Sequence, residues 1–262
     1  MKIATWNVNS VRKRTGNLVS WLERARPDIV VLQEIKAQEP QFPRLEVEAA
    51  GYKMAIVGQK GFNGVALLSL HPFDVTARAL PGHVDDEPAR YVEGRVSTPR
   101  GPVTVGGLYL PNGNPVGTEK FSYKLAWMER LHGHARELLA REEMFVLAGD
   151  YNVCPTEIDV FDPKAFANDA LCQPESRAAL RRLLNLGLTD AIRTFDADGE
   201  CYTFWDYQAG AWQKGNGLRI DHLLLSPQAA DRLTAAGIDK AERGKAEPSD
   251  HVPVWCELDV AA

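Results

Sequence analysis

Phe145-Val146-Leu147-Ala148-Gly149-Asp150-Tyr151-Asn152-Val153-Cys154-Pro155 is the stretch from which the rest of the chain becomes readable. Phe145 to Ala148 are apolar or β-forming, as a short buried strand requires, and Gly149 breaks the run. Asp150 and Asn152 follow two apart, so an extended backbone presents both side chains on one face. Asp150 can take a proton or bind a hard cation, while Asn152 donates hydrogen bonds without titrating. A carboxylate beside an amide at a strand end suits the activation and orientation of a water molecule. For this stretch alone, an Asx-type turn that ends a strand is the simpler account. The balance changes because the pattern recurs.

Residues 2–6 form a first strand pattern that stops on Asn7 and Asn9. Val11, Leu18, Val19 and Leu22 then recur at helical spacing up to Arg26-Pro27, a usual stop. Residues 28–32 are apolar on both faces, which predicts a strand buried on both sides, and they run into Gln33, Glu34 and Lys36. A turn at 60–64 leads into a strand at 65–69, and further strands are expected at 90–96 and 103–108. The second of these ends on Tyr109, before Pro111-Asn112-Gly113-Asn114. Residues 118–139 carry an amphipathic stripe of Phe121, Leu125, Met128, Leu131, Ala135 and Leu138, with Lys120 and Lys124 in the first turns. A helix over 175–186 stops at Gly187. Residues 201–205 read as a strand that opens into a polar loop holding Tyr207, Trp212, Lys214, Gly215 and Gly217. Residues 218–225 form a strand interrupted by ionisable side chains. Pro248-Ser249-Asp250-His251 precedes a last strand at 252–258.

Buried strands thus deliver Asn7, Glu34, Tyr109, Asp150, Asn152, Asp221, Asp250 and His251 at or near their ends. Single polar residues at strand ends are routine, but strand ends of one sense gather such groups into one cleft. The candidate ligands are oxygens with one imidazole, which favours Mg²⁺ or Mn²⁺ over Zn²⁺. Mg²⁺ on one or two carboxylates is the usual partner of phosphate esters. In this scheme Asp150 takes the proton of the attacking water, and Asp221 orients His251 and favours its protonated form. Protonated His251, the amide of Asn152 and a metal on Glu34 stabilise a pentacovalent phosphorane. Tyr109 steadies the nucleophile or the phosphate. Each role has a competitor: Asp221 paired only with Arg219, Tyr109 packed against proline. Phe204, Trp205, Tyr207 and Trp212 serve equally as core, lid or base contacts, and Trp212 is the candidate wedge into DNA. Lys36, Lys60, Lys120, Lys124, Arg177, Arg181 and Lys214 compose a candidate phosphate-tracking face.

With 262 residues, 45% of them hydrophobic, the chain can bury a large core, and no stretch resembles a linker or repeat, so one domain over 1–262 is expected. A net charge of −5 and a pI near 5.7 neither advertise nor exclude a basic DNA-binding face. The N-terminus enters a strand pattern without a signal-peptide core, and no apolar run approaches membrane-spanning length. Cys154, Cys172, Cys201 and Cys256 show no CxxC spacing, which argues against a zinc site or disulfide framework. A soluble, cytoplasmic monomer without membrane contact is the expectation.

Seven stretches, in order, resemble the exonuclease III branch of the endonuclease/exonuclease/phosphatase superfamily, the abasic-site DNA repair nucleases. They are Thr5-Trp6-Asn7-Val8-Asn9, Leu32-Gln33-Glu34-Ile35-Lys36, Gly64-Val65-Ala66-Leu67-Leu68-Ser69 and Tyr109-Leu110-Pro111-Asn112-Gly113. Ala148-Gly149-Asp150-Tyr151-Asn152-Val153, Leu218-Arg219-Ile220-Asp221 and Pro248-Ser249-Asp250-His251 complete the set. The resemblance implies a four-layer α/β sandwich: two mainly antiparallel β-sheets face to face, with helices outside. It implies Mg²⁺-dependent cleavage 5′ to abasic sites, removal of 3′ blocking groups, and 3′-to-5′ exonuclease action on duplex DNA. Carried over by position, Asn7 and Glu34 are metal-site residues, with Asp150, Asn152, Asp250 and His251 in the wider ligand set. Asp150 is the base, Asn152 the transition-state stabiliser, Asp221–His251 the acid–imidazole pair and Tyr109 the active-site phenol. Phe204 and Leu218 line a pocket for the extruded sugar. Lys36, Arg90, Asn112, Lys120 and Trp212 are the further substrate-binding candidates. The loop between Trp205 and Leu218 and the run Asn112-Gly113-Asn114 fall where members of the branch differ. Two other readings stand behind this one: another phosphoesterase of the same fold, and a nucleic-acid-binding regulator that does not cleave.

Overall fold

The computed structural model describes residues 1–83 and 85–261. Twelve strands run in chain order: β1 (Lys2–Asn7), β2 (Ile29–Gln33), β3 (Lys53–Val57), β4 (Val65–Ser69), β5 (Asp74–Ala77) and β6 (Tyr91–Val96) come first. They are followed by β7 (Val103–Tyr109), β8 (Met144–Asp150), β9 (Thr189–Asp190), β10 (Asp221–Leu225), β11 (Leu233–Ile238) and β12 (Val254–Leu258). The main helices are α1 (Thr15–Ala25), α2 (Arg44–Ala49), α3 (Glu119–Leu139) and α4 (Pro174–Leu184). The strands form two six-stranded sheets, in the orders β11-β12-β1-β2-β4-β3 and β5-β6-β7-β8-β10-β9.

Each sheet has one parallel pair at its middle, β1–β2 in the first and β7–β8 in the second, and every other pairing is antiparallel. Parallel neighbours need a crossover, and α1 and α3 supply the two crossovers. The sheets pack face to face through Ile3, Val31 and Leu67 of one and Val105, Val146 and Leu223 of the other. Leu18, Trp21 and Leu22 of α1 cover the outer face of the first sheet, and Trp127, Leu131 and Leu180 of α3 and α4 cover the second. This is the expected four-layer sandwich, and it explains why residues 29–32 are apolar on both faces.

Topology brings both parallel pairs to the same edge of the sandwich. Asn7 ends β1, Glu34 follows β2, Tyr109 ends β7 and Asp150 ends β8. Antiparallel β10 and β12 begin where those strands end, so Asp221 and His251 arrive at that edge as well. Register aligns Tyr109 with Asp150 and Asp150 with Asp221 across three neighbouring strands.

Glycine permits two close approaches on which this arrangement depends. A methyl group at Gly107 would lie 2.0 Å from Cγ1 of Val31 in the opposite sheet. One at Gly149 would lie 2.0 Å from the Leu108 carbonyl oxygen, a backbone atom that cannot step aside. Gly149→Ala is therefore expected to destabilise the protein by about 3 kcal/mol, the upper end of the overpacking range, measured by urea denaturation. A loss below about 1 kcal/mol would show that the β7–β8 edge yields more easily than its packing implies.

Two expectations need correction. Residues 201–205 do not form a strand: Phe204 makes single bridges to Leu218 and His251. Thr203 and Phe204 bond to Leu218, while Trp205 bonds to Asp250 and Val252 to Thr203. The segment thus straps the start of β10 in one sheet to the approach to β12 in the other. Asn152 also lies beyond the end of β8 with φ 48°, so it does not share an extended run with Asp150.

Candidate active site

Asp150 and Asn152 meet through a turn. The backbone N–H of Asn152 donates to Asp150 Oδ1 at 2.9 Å, the Asx geometry considered above, and it brings the amide round to the carboxylate. Asn152 Nδ2 donates to the Leu110 carbonyl at 2.9 Å, and its Oδ1 accepts from Asn112 Nδ2 at 3.2 Å. One Nδ2 hydrogen stays uncommitted in this pattern. The turn and the candidate site thus share these residues.

Asn7 joins the two sheets. Its Nδ2 donates to Glu34 Oε1 at 2.9 Å and to Asp150 Oδ2 at 3.0 Å, while its Oδ1 accepts from the Asn9 N–H. The Tyr109 hydroxyl donates to Glu34 Oε1 at 2.9 Å, and Lys36 Nζ lies 2.7 Å from Glu34 Oε2. Burial pushes the Glu34 pKa up, but the Lys36 ammonium and the Asn7 amide outweigh it, and the carboxyl ends below its usual value. Burial, then Glu34 and Asp150, hold Tyr109 well above the ordinary phenol range, so it acts as a neutral donor. Glu34 and Lys36 both have φ near +50°, φ 48° and 49°. Such backbone is costly for non-glycine residues and collects at functional sites. Here Ile35 and Lys36 are pinned by the Gly64 and Asn63 carbonyls of the 60–64 turn.

His251 Nδ1 lies 2.8 Å from Asp221 Oδ2, and its Nε2 lies 3.8 Å from Asp150 Oδ2. The Thr203 hydroxyl donates to the same Asp221 oxygen at 2.6 Å and fixes the carboxylate. Burial alone would lower the His251 pKa, but Asp221 and then Asp150 raise it to about 10. Burial lifts Asp150 to about 7; the His251 cation opposes this and Asp221 adds to it. A buried carboxylate poised near neutrality beside a fixed cation suits a general base. Arg219 does not compete for Asp221, since it pairs with Asp159 at 2.6 Å and Asp190 at 2.7 Å.

The donor set fits a hard divalent cation. Glu34, Asp150, Asp221 and Asp250 are joined in one linked network in which Lys36 pairs with Glu34 and His251 with Asp221. Glu34 and Asp150 face each other across a single amide nitrogen, and oxygens dominate. Asp150, Asp221 and His251 offer atoms within 4.8 Å of one another. A ring protonated on both nitrogens has no lone pair to offer an ion, so His251 would ligate only in its neutral form. Asp250 is set apart, with Oδ1 accepting from Asn9 Nδ2 at 3.0 Å.

The remaining candidates divide. Phe204 stacks edge-on to His251 at 4.9 Å, and with Leu218, Phe161 and Phe166 it lines a cavity of about 470 Å³ beside the site. The guanidinium of Arg90 lies 4.8 Å over the Tyr109 ring and donates to the Tyr109 carbonyl. Asn112 and Lys120 are exposed at the rim. Trp212 is a correction: its ring packs 5.0 Å from Trp205 with Arg243 and Lys240 over it, and it is not presented as a wedge. Lys124 and Arg177 leave the phosphate-tracking face, because both are spent on backbone carbonyls. Thr203, Asn9, Phe161 and Phe166 went unassigned in the sequence. Asn9, two residues after Asn7, carried a signal, whereas Thr203 was masked by a strand-like run.

The profile of the Endonuclease/Exonuclease/phosphatase family matches residues 4–251. Exodeoxyribonuclease III of Haemophilus influenzae is 32% identical, over 98% of this chain and all of that protein. An AP endonuclease from Archaeoglobus fulgidus superposes with a TM-score of 0.93 at 35% identity, covering 99% of this chain and 100% of the other. A 3′ phosphatase from Neisseria, solved with a product DNA hairpin, superposes with a TM-score of 0.94 at 37% identity, over 99% of each chain. With its matched sheets, its shared edge and its polar constellation, the chain belongs to the exonuclease III branch of the endonuclease/exonuclease/phosphatase family.

Proposed function

We propose that this hydrolase is a DNA repair nuclease that cuts phosphodiesters 5′ to abasic sites, trims 3′ blocking groups and digests duplex DNA from 3′ ends. The observation that carries this reading is the Asn7–Glu34–Asp150–His251–Asp221 network with the aromatic cavity at its side. Glu34, with Asn7 and Asp150 beside it, would hold a Mg²⁺ or Mn²⁺ ion, which supplies positive charge at phosphate oxygens. Asp150 takes a proton from water, and the uncommitted Asn152 hydrogen and the His251 cation meet the charge that builds on phosphate. The neutral Tyr109 phenol donates from the opposite sheet. The cavity bounded by Phe204, Leu218, Phe161 and Phe166 accepts the sugar turned out of the helix. A single catalytic domain acting as a monomer in a reducing cytoplasm accords with four free, buried cysteines. Among the described residues, no helix is long and apolar enough to cross a membrane.

The Neisseria relative is a 3′ phosphatase and the Archaeoglobus relative an AP endonuclease, so the two activities are tested side by side. A duplex with one internal tetrahydrofuran and a duplex ending in 3′ phosphate are incubated with Mg²⁺, Mn²⁺ or EDTA. Metal-dependent nicking 5′ to the tetrahydrofuran is the expected result. Phosphate removal alone would restrict the function to 3′ ends, and binding without cleavage would favour the non-catalytic regulator.

A further inference from the structure

Lys124 sits in the second turn of α3, on the buried stripe between Phe121 and Met128 where an apolar residue is usual, and its side chain is 0% exposed. Its ammonium donates to three backbone carbonyls: Asn152 at 2.6 Å, Asn112 at 3.0 Å and Ala170 at 3.4 Å. Three donors thus meet three acceptors, and a buried charge is fully hydrogen-bonded. The charges of Asp150 and Asp169 favour its protonated form, against the effect of burial. The three carbonyls come from the β7–α3 connection and from two distant points of the β8–α4 connection. Asn112 follows β7, Asn152 follows β8, and Ala170 lies between Asp169 and Leu171 in the cavity wall.

We infer that Lys124 is a positioning residue, one that ties the cavity wall to the catalytic amide of Asn152 and sets where that amide points. The inference rests on the hydrolytic role given above to Asn152. Asn152 has φ 48°, so its turn needs an external hold, and the carbonyl bond to Lys124 is the shortest it makes. Gly113 supplies an independent sign that the chain is built around this side chain. A methyl group there would lie 2.6 Å from Lys124 Cδ and 3.3 Å from Ala170 Cβ. Without the ammonium, the three carbonyls lose their common donor. The Asn152 amide then drifts, while exposed phosphate-contact candidates that Lys124 does not touch, such as Lys120, stay as they were.

The test is single-turnover cleavage of the tetrahydrofuran duplex, with duplex affinity measured separately in EDTA. Lys124→Met, of similar length and no charge, is expected to lower the cleavage rate about 30- to 100-fold while affinity changes less than about 3-fold. Lys124→Gln keeps an amide donor and is expected to fall between wild type and Lys124→Met; it carries the test if Lys124→Met does not fold. The ¹⁵N signals of the Asn112 and Asn152 side-chain amides are followed in the same variants and should shift. A rate within about 3-fold of wild type, or a rate loss matched by an equal loss of affinity, would overturn the inference. If wild type itself does not cleave, the proposed function fails and the amide signals alone decide: unmoved, they overturn the positioning role.

Discussion

Asp150→Asn lowers the cleavage rate on a tetrahydrofuran duplex by about 10³-fold or more while duplex affinity in EDTA is retained. Asparagine keeps the shape of the side chain but cannot take a proton from water, which removes a general base placed by three groups. Asn7 Nδ2, the Asn152 N–H and the His251 ring all converge on this carboxylate. The alternative explanation, unfolding, is separated by measuring stability in EDTA. Burial raises the Asp150 pKa from its ordinary value to about 7 in the fold, so the native state holds this proton more tightly than the unfolded chain. Where the native state binds more protons, stability falls as pH rises, here from about 4 through about 7. Above that window the ionised Asp150 costs folding free energy, and a neutral asparagine removes the cost. Loss of the Asp150 charge beside His251 acts the other way, so the melting temperature of the variant in EDTA at pH 8 is expected within about 5 °C of wild type. A variant that keeps a tenth of the wild-type rate would remove Asp150 from the role of base.

The site was legible because its residues interrupt apolar runs. Asn7, Glu34, Tyr109, Asp150 and Asp221 each stand at or just beyond an end of a buried strand, and a sheet delivers such residues to one edge whatever its detailed connectivity. The strands that went unseen lack this contrast. Leu233–Ile238 contains Ala235-Ala236-Gly237, with little β-propensity, and is held in place by pairing with β12. Residues 201–205 err in the other direction. Cys201-Tyr202-Thr203-Phe204-Trp205 has the composition of a strand, but its hydrogen bonds are divided between two sheets, a tertiary fact that composition does not carry. Lys124 and Trp212 show the same limit for side chains. A lysine near the start of a helix reads as solvated, although position 124 falls on the stripe of Phe121 and Met128, and the three carbonyls show how the buried ammonium is satisfied. A tryptophan in a glycine-rich loop reads as available, and only Trp205 shows that it is already engaged. Arg219, two residues before Asp221, looked like a local pair, yet it lies outside β10 and pairs with Asp159 and Asp190.

Asp221→Asn should separate the catalytic from the structural contribution of the His251 cation, because the two depend on pH in opposite directions. In wild type, Asp221 and Asp150 hold the buried ring protonated to about pH 10, well above the ordinary imidazole value. With asparagine at 221, burial acts with one opposing charge fewer, and the ring loses its proton near or below the usual pKa of about 6.5. Activity should then fall about 10-fold at pH 6 but about 10²-fold or more at pH 8, the scale of one lost transition-state donor. The deficit grows as the variant's ring turns neutral while that of wild type stays charged. Stability runs the other way. A histidine whose folded pKa is raised contributes fully below its unfolded pKa and loses that contribution as pH rises toward the folded value. The stability gap between wild type and Asp221→Asn is therefore widest near pH 6 and narrows toward pH 10, as chemical denaturation in EDTA at each pH would show. Rate and stability deficits that rose and fell together would mean that Asp221 merely holds the strap of Thr203 in place. Opposite trends would mean that the carboxylate acts on the reaction through the charge it keeps on His251.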